Sequence, residues 1–220
     1  MVHDQRSAAW HAARRGKVTA SNVGAALGQV GYISRLTAYR RAAGTDTFTG
    51  NAATEWGIAN EPLALAAYAN HTGYAVRATG LHQHPTLEWC AGSPDGLIGD
   101  DGMVEVKCPY YQAYKGPHTS VPPHYYLQMQ QLLQCTGRVW CDYVCYCGTR
   151  GMSLFRVTRD DLLFEDLLGD LQRFAHAVRT KAGKPPKMNK RRITERVARS
   201  AKAHTEVVGR RIPCLLIDHE

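Results

Sequence analysis

The chain has 220 residues and lacks several features that would take it out of the ordinary globular class. No run approaches the roughly 18 apolar residues of a membrane-spanning helix. The opening MVHDQRSAAWHAARRGK has no apolar core, so a secretory signal is not expected. No internal repeat is visible. Seven cysteines are present, yet none forms a CxxC knuckle, which weighs against a structural zinc or iron–sulfur site. An odd cysteine count without an export signal also weighs against a disulfide framework. Acidic residues are scarce at both ends. Residues 1–41 hold one acid against seven Lys/Arg, and residues 181–220 hold four against eleven. Residues 42–180 reverse the balance, with fourteen acids against nine Lys/Arg. The net charge of +8 is therefore a mildly acidic middle between basic ends. Such asymmetry suits a polyanionic partner, although passive RNA binders share it. What remains is ordinary: 44% hydrophobic and 21% charged residues exclude a disordered or collagen-like chain.

Periodicity places the elements. Residues 5–15 read as a helix stopped by Gly16. Ser21 reads as the N-cap of a helix running to about Leu27. Helices are expected over 34–43, ended by Gly44, and over 52–71, ended by Gly73. Strand-like runs follow at 74–79, 87–91, 95–99, 103–108, 138–147 and 151–157, with Gly99–Gly102 (GDDG) as a hairpin turn. Helices fill 123–136 and 160–180. KAGKPPK at 181–187 breaks regular structure before a basic remainder, helical over about 193–203, with a last extended segment. In the run RVWCDYVCYCG, period two puts Val139, Cys141, Tyr143, Cys145 and Cys147 on one strand face, so these cysteines read as small buried hydrophobes. The order of elements predicts an α/β (α+β) fold.

The stretch from Gly92 to Pro109 carries chemistry. Asp95 follows Pro94, and after nine intervening residues Glu105 and Lys107 stand two apart in the next strand. Their side chains share one face, while Val104 and Val106 point to the other. A turn at GDDG brings Asp95 against both. Two carboxylates and a lysine converging on one spot suit Mg²⁺, which takes one or two carboxylates plus waters and substrate phosphate. The bland alternative is an exposed ion pair worth about 0–1 kcal/mol.

SPDG followed by EVKCP resembles the PD-(D/E)XK nuclease core, and most closely the lambda-type phage alkaline exonucleases, or YqaJ-like viral recombinases. WHAARRGKVTAS at 10–21, WGIANEP at 56–62 and YYLQMQ at 125–130 resemble further motifs of that family in the same order. The resemblance spans about residues 10–180 and implies a central mixed sheet flanked by helices. It implies one nuclease domain over 1–180, with the basic 181–220 segment packed on it or in a subunit interface.

The resemblance assigns roles. Asp95 and Glu105 become metal carboxylates, joined by the Val106 carbonyl and by Glu61. Lys107 becomes the catalytic lysine, and Gln128 orients groups near the scissile phosphate. Arg14, Ser21 and Thr19 of the TAS element become the grip on a terminal 5′-phosphate. The implied activity is Mg²⁺-dependent 5′-to-3′ digestion of one strand of linear duplex DNA, leaving a 3′ overhang. Two ions are implied, with Mn²⁺ as a substitute. A ring-shaped homotrimer, a single-strand annealing partner and a cytoplasmic setting in a bacterial host, phage or prophage encoded, complete the expectation. Three other readings stand beside it: a restriction or repair endonuclease, a non-catalytic DNA-end-binding module, and a passive RNA binder. Tyr110 and Tyr111 are candidates to touch DNA. His118 and His124 lie near the active helix without an assigned role.

Overall fold

The structure is a computed structural model and describes residues 5–46, 49–111 and 115–214. Helix α1 spans Ala8–Arg14, and Ser7 caps it by accepting the Trp10 amide. A two-residue strand β1, Val18–Thr19, runs straight into α2, Ala20–Ala26. The expected cap at Ser21 is therefore corrected: Thr19 holds the N-cap position, and Ser21 lies inside the first turn. The reason is pairing. Val18 and Thr19 align parallel with Cys90 and Ala91, which keeps them extended until the helix begins. Helix α3, Arg35–Ala42, is capped by Ser34, and α4, Ala52–Thr72, by Asn51. Gly73 ends α4 at φ 73°, a left-handed turn that glycine enters without a side-chain penalty.

Strands β2 (Val76–Arg77), β3 (His82–Gln83), β4 (Cys90–Gly92), β5 (Gly96–Ile98) and β6 (Gly102–Lys107) follow. Helix α5, Pro123–Thr136, crosses to β7, Trp140–Tyr146, which is followed by β8, Met152–Thr158. Helices α6, Asp161–Arg179, and α7, Lys190–Ala203, precede the last strand, β9, Thr205–Ile212. A small sheet has the order β1-β4-β3, and a six-stranded sheet has the order β2-β5-β6-β7-β8-β9. The large sheet is antiparallel except between β6 and β7, which α5 joins in parallel. Strands β1 and β3 were not expected, and several others are shorter than the sequence suggested.

The large sheet is buried on both faces. Met103, Cys141, Tyr143, Cys145 and Phe155 point to one side, where residues of α2, α3, α5, α6 and α7 complete the core. Val104, Val106, Val144 and Leu154 point to the other, where Ala64 and Tyr68 of α4 meet them. Cys141, Cys145 and Cys147 sit in the apolar core as free thiols, as expected. The C-terminal elements are part of this packing. Ile193 and Val197 of α7 are fully buried, Arg192 and Arg196 pair with Asp166 and Asp170 of α6, and β9 extends the sheet beside β8.

Candidate active site

Strand β6 is the foundation of the site. Its alternation puts Glu105 and Lys107 on the face toward α5 and Val104 and Val106 on the face toward α4. The β5–β6 hairpin aligns Gly96 with Val104, so Asp95, one residue before β5, stands opposite Glu105. One Asp95 oxygen, Oδ2, accepts the Val106 amide at 2.7 Å. Lys107 Nζ donates to Glu105 Oε1, and the Gln128 side-chain amide of α5 donates to the same oxygen. Asp95, Glu105, Lys107 and Gln128 are thus gathered at one end of the sheet. Glu61 arrives from α4 on the opposite layer and lines the same cleft of about 710 Å³ as Asp95, Lys107 and Tyr125. Its carboxylate is held by the Arg6 guanidinium.

The electrostatics follow from burial. Glu105 is 1% exposed, and its Oε2 has no hydrogen-bond partner. Burial raises the Asp95 carboxyl well above the usual range, and the charges of Glu105 and Glu61 add to this while Lys107 opposes it. Burial likewise raises Glu105 against the pull of Lys107. Burial alone would lower Lys107, but the neighbouring carboxylates outweigh it and hold its proton more firmly than usual. The ring of Tyr125 lies 5.2 Å from Lys107 Nζ. Two inward carboxylates, one with an orphaned buried oxygen, offer the hard oxygen donors that Mg²⁺ takes. Among the described residues no three or more His, Cys, Asp or Glu side chains stand close enough together to hold a metal ion. As arranged, Asp95 and Glu105 stand opposite each other, and Glu61 is engaged by Arg6.

A second cluster forms beside α1. The Arg14 guanidinium donates to Ser21 Oγ at 3.0 Å and to Thr19 Oγ1 at 3.3 Å. It also stacks 4.0 Å over the Trp10 ring, and burial pushes its pKa down to about 10. Trp10 Nε1 in turn donates to Ser93 Oγ at 2.9 Å. Ser93 is two residues before Asp95, so this contact ties the cationic cluster to the carboxylates.

The sequence between residues 9 and 139 matches the YqaJ-like viral recombinase domain. The chain belongs to the YqaJ-like viral recombinase family. An alkaline exonuclease from Laribacter hongkongensis (LHK-Exo) superposes with a TM-score of 0.68 at 32% identity, covering 88% of this chain and 99% of that one. The same exonuclease in complex with dAMP gives a TM-score of 0.68 at 33% identity, with the same coverage. A phage-related exonuclease from Haemophilus somnus 129PT shares the fold, with a TM-score of 0.54 at 17% identity, covering 81% of this chain and 96% of that one. No curated protein sequence matches significantly. The mixed sheet with flanking helices is the PD-(D/E)XK nuclease fold, and this family member is an enzyme of the alkaline exonuclease type with a nuclease role in recombination.

Sequence reasoning missed Trp10 and Ser93 as the link between the clusters, and Gln5 and Arg6 as neighbours of the site. Trp10 and Ser93 belong to WHAARRGKVTAS and SPDG, yet no local pattern marks any of these contacts, because each spans more than fifty residues. Tyr110 packs edge-on against Trp56 and Tyr111, and Tyr111 is 76% exposed at the cleft rim. His118 is engaged by the Tyr143 hydroxyl at 2.7 Å, and His124 packs on Tyr125. Among the described residues no helix is long and apolar enough to cross a membrane.

Proposed function

We propose that this enzyme is a Mg²⁺-dependent 5′-to-3′ exodeoxyribonuclease that digests one strand of linear duplex DNA and leaves a 3′ single strand. One observation carries the reading: half-buried Asp95 and buried Glu105 stand opposite each other beside Lys107, with Glu105 Oε2 lacking any partner. Asp95, Glu105, the Val106 carbonyl and Glu61 would hold the metal, two ions in all, with Mn²⁺ as a substitute. Bound there, Mg²⁺ supplies Lewis acidity toward the phosphate and lowers the pKa of water.

The chain's own residues do the rest. Lys107 keeps its proton, which makes it a donor that orients the attacking water and offsets charge developing on the phosphoryl oxygens. Gln128 fixes Glu105 Oε1 in place and leaves the buried Oε2 without a partner. The rigid hairpin holds Asp95 through the Val106 amide. Arg14, Thr19 and Ser21 grip a terminal 5′-phosphate, and the guanidinium's planar fork suits that anion. A pocket that grips this phosphate beside the carboxylates accounts for polarity. The Laribacter exonuclease accommodates dAMP, a mononucleotide of the kind stepwise digestion releases. The proposal extends to a ring-shaped homotrimer and to hand-over of the 3′ strand to an annealing protein.

The test is a digest of linear duplex bearing 5′-phosphate or 5′-hydroxyl ends, and of closed circular duplex, with Mg²⁺ or EDTA. Phosphorylated linear DNA should be degraded only with Mg²⁺. Cutting of the closed circle overturns the exonuclease reading, and equal rates on both 5′ ends remove the role given to Arg14.

A further inference from the structure

Arg6 pairs with Glu61 across 55 positions of sequence, and its backbone is fastened on both sides. Gln5 donates to the Pro94 carbonyl at 2.9 Å and reaches the Thr79 carbonyl at 3.5 Å. Ser7 caps α1, and Trp10 on that helix donates to Ser93. The segment 5–10 is thus bolted at two points to Ser93 and Pro94, the residues that lead into Asp95. Between the bolts Arg6 has φ 70°, a conformation that residues with side chains seldom adopt. The result brings the guanidinium to a carboxylate of the cleft while the Arg6 side chain stays 45% exposed.

Charge gives this contact a purpose. Glu61 on α4 lines the same cleft as Asp95 and adds its negative charge to those of Asp95 and Glu105, between which Lys107 is the cation. Arg6 adds a second positive charge at Glu61. A guanidinium does not lose its proton in the working pH range, so a competing cation or anion is needed to release it.

We propose that Arg6 is a positioning residue, a built-in counter-ion that holds Glu61 in the cation-free enzyme and yields it when a divalent cation takes that carboxylate. Arg6 thereby sets the cation affinity of the cleft and keeps Glu61 aimed into it. The inference rests on the reading of Glu61 as a metal carboxylate. A plain surface ion pair of the same geometry would leave cation affinity untouched.

Calorimetric titration of Mn²⁺ into the DNA-free, full-length enzyme tests it. Arg6→Ala should bind Mn²⁺ about threefold to tenfold more tightly than wild type, the range a partly exposed charge-assisted pair supplies. Arg6→Lys should stay near wild type. In a Glu61→Gln background, Arg6→Ala should change nothing further. Unchanged or weaker binding by Arg6→Ala overturns the proposal, as does the same tightening in the Glu61→Gln background. Arg6→Gln serves in its place if Arg6→Ala does not fold. Asp95→Asn separates the two levels: if it abolishes Mn²⁺ uptake while Arg6→Ala has no effect, the metal site stands and the role of Arg6 falls. If wild type takes up no Mn²⁺, both fall.

Discussion

Lys107 holds its proton because Glu105 and Asp95 outweigh the cost of its burial. That makes it a fixed positive charge, and removing it should spare binding but not turnover. Lys107→Ala should still bind DNA ends in a gel-shift assay while cleaving at least about 10²-fold more slowly, the scale of one positioned electrostatic group. Near-normal turnover would refute the assignment. His124 shows the opposite balance. Burial, then the charges of Lys107 and His118, push its pKa from 6.5 down to about 4. The folded protein keeps His124 neutral where the unfolded chain protonates it, so its contribution to stability is present above pH 6.5 and is lost as pH falls toward 4. The melting midpoint of His124→Asn should therefore fall less than that of wild type across this interval. Parallel pH profiles would remove this role. Asp95, Glu105 and Lys107 were legible in the sequence because a short turn separates them and strand alternation fixes their face. Trp10–Ser93 and Gln5–Pro94 were not, since each is a tertiary contact between residues 83 and 89 positions apart.

Helix α4 delivers Glu61 yet buries little of itself: Ala64 and Tyr68 are its buried residues. Pro62, inside the helix, removes one backbone donor next to Glu61. What fixes α4 is the Tyr68 hydroxyl, which donates to Asp142 Oδ2 at 2.7 Å in the sheet. Arg156 closes the arrangement by donating to both Asp142 oxygens. Tyr68→Phe should cost about 1–3 kcal/mol in urea unfolding, the penalty for stripping a partner from a buried polar group. A loss below about 0.5 kcal/mol would show that Arg156 alone satisfies Asp142. The long helices were readable from their apolar periodicity and the glycines that end them. Two-residue strands such as β1 and β3 were not, because alternation cannot show in two positions. Missing β1 also misplaced the cap of α2 by two residues.

At the scale of the molecule, the basic ends have distinct surroundings. The first contributes Arg14 to the cluster beside Asp95. In the second, Arg192 and Arg196 spend their charge on Asp166 and Asp170, and Arg191 pairs with Glu195. Composition marked residues 181–220 as basic, with eleven Lys/Arg against four acids. It did not show that Ile193 and Val197 are the buried face of α7, because two apolar residues among many cations make a weak pattern. Truncation after residue 187 should therefore lower the melting midpoint sharply or leave the protein insoluble. An unchanged melt would mean the segment is an appendage. Light scattering would test the proposed trimer.

The strand order β2-β5-β6-β7-β8-β9 follows the chain closely, and its one parallel pair, β6 with β7, is joined through α5. Those two strands occupy the middle of the sheet, where opening needs near-global unfolding. The Val106 amide, which holds Asp95, should thus be among the slowest in the protein to exchange with deuterium, far slower than the amides of edge strands β2 and β9. Rapid exchange there would contradict it. Asp95 and Glu105 would then owe their stillness to the last part of the protein to melt, whereas Glu61 stands on α4, a helix with only Ala64 and Tyr68 buried.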